Sequence, residues 1–165
     1  MKIALFMNEY FPSIGGAQIT THCLATSLVE NEKCNVSVIT RSKLYNKCIK
    51  NKWKFKYKLL SSDPPSNILF KISPSIWLWL IKKRFRKLLL KERFDIVHII
   101  MTWPWLLASE EAKKLNIPVI LRAAGEDIQI SKLYNYGIRR NSKINQLIIK
   151  NFENISAAVA ISETV

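Results

Sequence analysis

The chain has 165 residues, 48% hydrophobic and 23% charged, an ordinary globular mix long enough for one domain with its own core. Its three cysteines, Cys23, Cys34 and Cys48, form no CxxC pair, which argues against a disulfide framework or a zinc site and suits a reducing compartment. The formal charge of +14 sits in one stretch: residues 41–94 carry 16 Lys or Arg against Asp63 and Glu92, and the remainder carries 10 basic and 10 acidic residues.

In chain order, KIALFM (2–7) reads as a strand. It is too short, and too soon followed by Asn8 and Glu9, to be a signal peptide. NEYFPSIGGAQ then breaks the pattern. Pro12 fixes φ, while Gly15 and Gly16 can take φ > 0 and lack a Cβ, so another molecule can approach the backbone. Ile19, Cys23, Leu24 and Leu28 recur at helical spacing, predicting a helix over 17–30. A strand, a glycine turn and a helix start aim backbone N–H groups and a positive dipole end at an anion; a plain tight turn is the alternative. NVSVIT (35–40) is a second strand, and WKFKYKLL (53–60), alternating aromatic and lysine, predicts a half-exposed third.

DPPSN (63–67) reads as a loop and 76–93 as a helix. FDIVHII (94–100) has the near-continuous apolar character of a buried parallel strand. A helix over 104–115, a strand IPVILRAA (117–124), a helix over 141–152 capped by Asn141 or Ser142, and a strand AAVAIS (157–162) follow. Alternation of this kind predicts an α/β fold: a doubly wound, mainly parallel, Rossmann-like sheet. No apolar run reaches the ~18 residues of a membrane span. A cytoplasmic protein is expected.

In such sheets ligands bind beyond the carboxyl ends of the strands. Gly15 and Gly16, Thr40 and Arg41, Thr102, then Arg122, Gly125, Glu126 and Asp127, and finally Ser162 and Glu163 follow successive strands. The GxGxxG and GxxxxGK[ST] phosphate signatures are absent. His22 and His98 stand in unrelated contexts, so no metal site is expected, and His98 in a buried strand reads as a satisfied core histidine.

NEYFPSIGGAQ, NVSVIT, FDIVHII, IPVILRAAGEDI and AAVAIS, in this order, resemble the amino-terminal half of family 4 glycosyltransferases, retaining enzymes of the GT-B fold. The resemblance spans nearly the whole chain. It implies that Gly15 and Gly16 lie against the donor diphosphate or the acceptor, in a cleft between two Rossmann-like domains. Arg122, Gly125 and Asp127 fit the family's RxxGxD version, whereas many members carry histidine at the position of Ala124. His98 matches the first histidine of a DVVHAH-like strand whose second position is Ile100 here. On this resemblance Asp127 is the catalytic candidate, orienting the acceptor hydroxyl, with a turn or cap role as the alternative. Arg122, Gly125 and Glu163 join the two glycines as substrate- or phosphate-binding candidates; a first-turn helix acid is the other reading of Glu163. No cofactor is implied beyond the nucleotide-sugar substrate.

On a helical wheel, Trp77, Leu78, Ile81, Phe85, Leu88 and Leu89 share one arc, and Lys82, Lys83, Arg84, Arg86, Lys87 and Lys91 occupy the rest, with Trp79 and Leu90 among them. This pattern suits a monotopic membrane contact through Trp79, Lys82, Lys83, Arg86 and Lys87, helped by the lysines of 47–58; a solvated helix covering the sheet is the alternative. The expectation is thus the acceptor-side domain of a glycosyltransferase at the inner face of the cell membrane. It would use a lipid-linked or polysaccharide acceptor and no nucleic acid, and be inactive without a carboxyl-terminal donor-binding domain that this chain lacks. The competing expectation is a noncatalytic Rossmann-like module or partner subunit whose basic face binds acidic lipid or nucleic acid.

Overall fold

The computed structural model describes residues 1–131 and 133–160. Six strands form one sheet, all neighbours parallel: β1 (Lys2–Met7), β2 (Asn35–Thr40), β3 (Lys58–Ser61), β4 (Ile96–Ile100), β5 (Val119–Arg122) and β6 (Ala157–Val159), in the order β3-β2-β1-β4-β5-β6. The doubly wound α/β expectation holds. β1 lies centrally, with Leu5 opposite both Val38 and His98.

Side-chain alternation sorts the strands into two cores. Ala4, Phe6, Ile39, Val97, Ile99 and Leu121 point to one face, and Ile3, Leu5, Met7, Val36, Val38 and Ile100 to the other. The first face is covered by α4 (Pro74–Glu92), which buries Trp77, Ile81, Phe85 and Leu89, four residues apart along a single stripe. Phe6 meets Phe85 and Trp105 with ring centroids 4.9 and 5.2 Å apart. Burying one such aromatic side chain stabilises by about 1.5–3 kcal/mol. The helix begins two residues before the expected start because Pro74, which cannot donate inside a helix, is accepted in its first turn. It stops at Arg93, in the left-handed region with φ 56°.

The second face is covered by α1 (Gly16–Glu30) and by a helix absent from the sequence reading, α2 (Ser42–Lys50), which buries Leu44 and Cys48. The buried stripe of α1 is Thr21 and Ala25 with Leu24 and Leu28 partly buried, while Ile19 and Cys23 face outward, correcting the expected stripe. Thr21 is tolerated inside because its hydroxyl bonds the Ala17 carbonyl at 2.7 Å.

Three other elements differ from expectation. Of the expected 53–60 strand only residues 58–60 pair with β2, and the ladder runs on to Ser61. Residues 53–57 keep their alternation without a ladder, Phe55 and Tyr57 packing inward while Lys54 and Lys56 are exposed. Asn67–Ile72 forms a short helix, α3, started by Ser66, whose side chain accepts from the Ile68 amide. The expected 104–115 helix is divided into a 3-10 turn, Trp105–Ala108, and α5 (Glu110–Lys114), with the Ser109 hydroxyl bonded to the Leu106 carbonyl at the junction. The last helix, α6 (Ser142–Asn151), is capped by Asn141 as expected. Among the described residues no helix is long and apolar enough to cross a membrane.

Candidate functional site

The start of α1 and the carboxyl ends of β4 and β5 meet at one cavity of about 410 Å³, lined by Gly16, Ala17, Thr20, Ile100, Arg122 and Ala124. The start of α1 thus faces the end of β5 across open space. Gly15 is the N-cap of α1, with no side-chain cap bond and no acidic residue in the first turn, so among the described residues neither a cap nor a first-turn acid offsets the positive end of this 15-residue helix. Neither glycine is left-handed: Gly15 is fully extended, and the positive-φ glycines are Gly125 and Gly137. What glycine contributes at position 16 is space. A Cβ there would meet no atom within 4 Å, so the fold tolerates it, but it would take room at the edge of the cavity.

Arg122 supplies the second positive group. Among the described residues it has no salt bridge or side-chain hydrogen bond. His98, on the neighbouring strand and paired in register with Ile120, is nine-tenths buried, and its Nε2 has no partner. Burial, and then the Arg122 guanidinium, hold its imidazole down at about 4, so it is neutral at pH 7 and adds no charge. It lies in the buried strand expected of a core histidine, but among the described residues its Nε2 is not satisfied as that reading requires.

Asp127 lies at the same edge in a different role. It is fully buried; one carboxylate oxygen accepts from the Thr102 amide at 2.7 Å and the other from the Ala124 amide at 2.9 Å. Those bonds tie the loop after β4 to the loop after β5. With an amide on each oxygen and the side chain fully buried, the carboxylate has the geometry of the turn role, a clamp between the two loops. Gly125 begins the same turn at φ +97°, where a side chain is strained, and its carbonyl accepts from the Ile128 and Gln129 amides. Glu163 lies outside the described residues.

The turn after β1 is braced from behind by residues the sequence reading left unassigned. The hydroxyl of buried Tyr10 bonds that of Tyr57, which bonds His22 Nδ1 at 2.7 Å. Burial pushes Tyr10 upward and Tyr57 up to about 12, keeping both phenols protonated. Phe11 and Phe55 stack alongside, at 6.2 Å. The signal was the alternation of WKFKY, which points Phe55 and Tyr57 to the same side.

The basic helix is only partly free. Lys82 bonds Glu110 and Arg86 bonds Glu111 at 3.2 Å, both acids on α5, so two of the four expected membrane cations fasten α4 to its neighbour. Lys114 and then Lys82 hold the Glu110 carboxyl down at about 2. Lys83 and Lys87 remain, with Trp79 58% exposed and Lys83 Nζ 4.9 Å from its ring centroid. Among the described residues no three His, Cys, Asp or Glu side chains converge as a metal ion requires.

Residues 14–165 match the family model for Glycosyltransferase Family 4. No curated protein sequence matches. Among solved structures, MurG from Acinetobacter baumannii superposes with a TM-score of 0.62 at 11% identity, over 99% of this chain and 42% of that one. A UDP-GlcNAc 2-epimerase from Methanocaldococcus jannaschii gives 0.61 at 17% identity, over 99% and 40%. A UGT transferase from Siraitia grosvenorii, in complex with UDP, gives 0.58 at 9%, over 96% and 44%. At such identities the likeness is one of fold, and the chain spans about two-fifths of the length of these structures.

Proposed function

This chain belongs to Glycosyltransferase Family 4, and from that premise we propose that it is the amino-terminal, acceptor-side domain of an enzyme that transfers a sugar from a nucleotide-sugar donor to a lipid-linked or polysaccharide acceptor at the cytoplasmic membrane face. The observation that carries the reading is the cavity between the start of α1, which has no side-chain cap, and Arg122, unpaired among the described residues. A departing nucleoside diphosphate gains negative charge as the glycosidic bond breaks. Fixed N–H dipoles and a guanidinium stabilise that charge without reorganising. Gly16 keeps the approach open; Gly125 and Asp127 hold the β4 and β5 loops so that Arg122 keeps its place. The donor's nucleotide and sugar would be held by a second Rossmann-like domain, since donor and acceptor must be brought together with water excluded.

The test is transfer. The 165-residue chain, incubated with a panel of nucleotide sugars and membrane extract, is expected to give no turnover alone and to give turnover when a donor-binding domain is supplied. Turnover by the chain alone would contradict the division of labour. Absence of turnover in both would favour the noncatalytic module.

The membrane part of the reading is supported by the exposed Trp79, Lys83 and Lys87 on α4, together with exposed Lys47, Lys50, Lys52 and Lys54, whereas Lys56 and Lys58 pair with Glu30 and Glu92. Each such cation contributes ~1 kcal/mol near an anionic leaflet. In liposome sedimentation the chain should bind anionic vesicles, more weakly as salt rises, because the Debye length is ~10 Å at 0.1 M. Lys83→Glu with Lys87→Glu should weaken binding, whereas Lys82→Glu and Arg86→Glu should also lower stability, because those cations pair with α5. Equal binding to neutral vesicles would contradict this contact.

A further inference from the structure

A larger cavity, about 660 Å³, opens on the other face of the sheet between α3 and the start of α6. Its walls include Phe70, Lys71, Trp103, Arg140, Lys143 and Ile144, and none of its lining residues is acidic. This volume is in the range of small-ligand sites, ~300–1,000 Å³. The floor is rigid: Trp103 stacks on buried Trp77 with centroids 5.0 Å apart and meets Phe70 edge-on at 5.2 Å, leaving the indole half-buried at the cavity. Lys71, Arg140 and Lys143 are exposed, and among the described residues none has an ion-pair partner. Three like charges around one hollow repel each other and draw an anion. Beside the cavity in sequence, Ile68, Ile72 and Ile76 are 68%, 76% and 53% exposed, three apolar side chains that the described residues leave largely uncovered.

We propose that this cavity binds a phosphate carried on a single apolar chain, the phosphate held by Lys71, Arg140 and Lys143, the first carbons lying on Trp103 and Phe70, and the chain leaving past Ile72 and Ile76. The charges select an anion, and the apolar wall and exit select one attached to a hydrocarbon. A free inorganic anion would leave the aromatic floor unused. The cavity is joined to the α1 site through the chain itself: Trp103 follows Thr102, whose amide Asp127 holds. That the amphiphile is the sugar acceptor rests on the glycosyltransferase reading; that it binds does not.

The experiment is a calorimetric titration of the 165-residue chain with decyl phosphate below its critical micelle concentration. Inorganic phosphate and decanol serve as controls, and the Trp103 indole resonance reports the place. Decyl phosphate should bind at least tenfold more tightly than either control and move that resonance. Lys71→Glu with Lys143→Glu, exposed changes that spare the core, should weaken binding at least tenfold, while Lys43→Glu, an exposed change on α2 over the opposite face, should leave it unchanged. Inorganic phosphate binding as tightly would reduce the cavity to an anion site, and decanol binding as tightly would remove the role of charge; either overturns the proposal. Equal loss of binding in Lys43→Glu would reduce the attraction to overall charge and overturn the site. Displacement by phosphatidylglycerol vesicles would assign the cavity to the bilayer's own headgroups and overturn its link to an acceptor.

Discussion

Asp127→Ala should destabilise the domain by about 3 kcal/mol, because a hydrogen bond to a charged group contributes ~1.5–3 kcal/mol and two buried amides, those of Thr102 and Ala124, would lose their acceptor. For a domain of this size that is a fall in Tm of roughly 6–12 °C. Asp127→Asn keeps one acceptor oxygen but turns an amide N–H towards the other donor, so it should recover only part of the loss. Thermal unfolding of the two variants checks this. An unchanged Tm in Asp127→Ala would mean that the carboxylate does not clamp the loops and would return it to direct contact with substrate. In the clamp, by contrast, any loss of transfer follows from loosened loops and should shrink as temperature is lowered.

Gly137→Ala should be among the most damaging small changes in the chain. Gly137 has φ +96°, and a Cβ there would stand 2.0 Å from the Gln129 carbonyl oxygen, which is backbone and cannot swing aside. The conformational term alone costs roughly 1–2 kcal/mol, and relieving the clash must shift the Gln129 backbone. That movement would pull on the paired Ser131 and Tyr136, and on the Arg139 bond to the Ile128 carbonyl at 3.1 Å. The loop should open locally before the sheet does. Amide hydrogen exchange across 125–138 should rise well above that of β1 and β4, while Gly16→Ala, whose Cβ meets nothing, leaves exchange unaltered. Wild-type protection in Gly137→Ala would contradict the described loop.

The parallel sheet was legible because buried strands such as KIALFM and FDIVHII are apolar on both faces, and the long helix because its apolar residues recur every four. The two missed helices are short. α3 has six residues, and α2 gains its order from burying Leu44 and Cys48, so neither shows a long period. The site was legible as a set of polar groups at strand ends, but not in their roles. Sequence shows an aspartate after a glycine; only coordinates show both its oxygens taken by backbone amides. Equally, the helical wheel separated cations from apolar residues correctly, yet the acids that bind Lys82 and Arg86 come from 28 and 25 residues away, at Glu110 and Glu111. Distant partners of that kind leave no local pattern.

The central claim is that the start of α1 and Arg122 together form a site for a diphosphate. Its most direct test is an amide-resolved NMR titration of the chain with pyrophosphate, in the wild type and in Gly16→Val and Arg122→Glu. The account predicts that the Gly16 and Ala17 amides shift on titration, that Arg122→Glu abolishes the shift, and that Gly16→Val weakens it at near-wild-type Tm. Shifts confined to residues away from α1 and β5, or shifts at Gly16 that persist in Arg122→Glu, would contradict it.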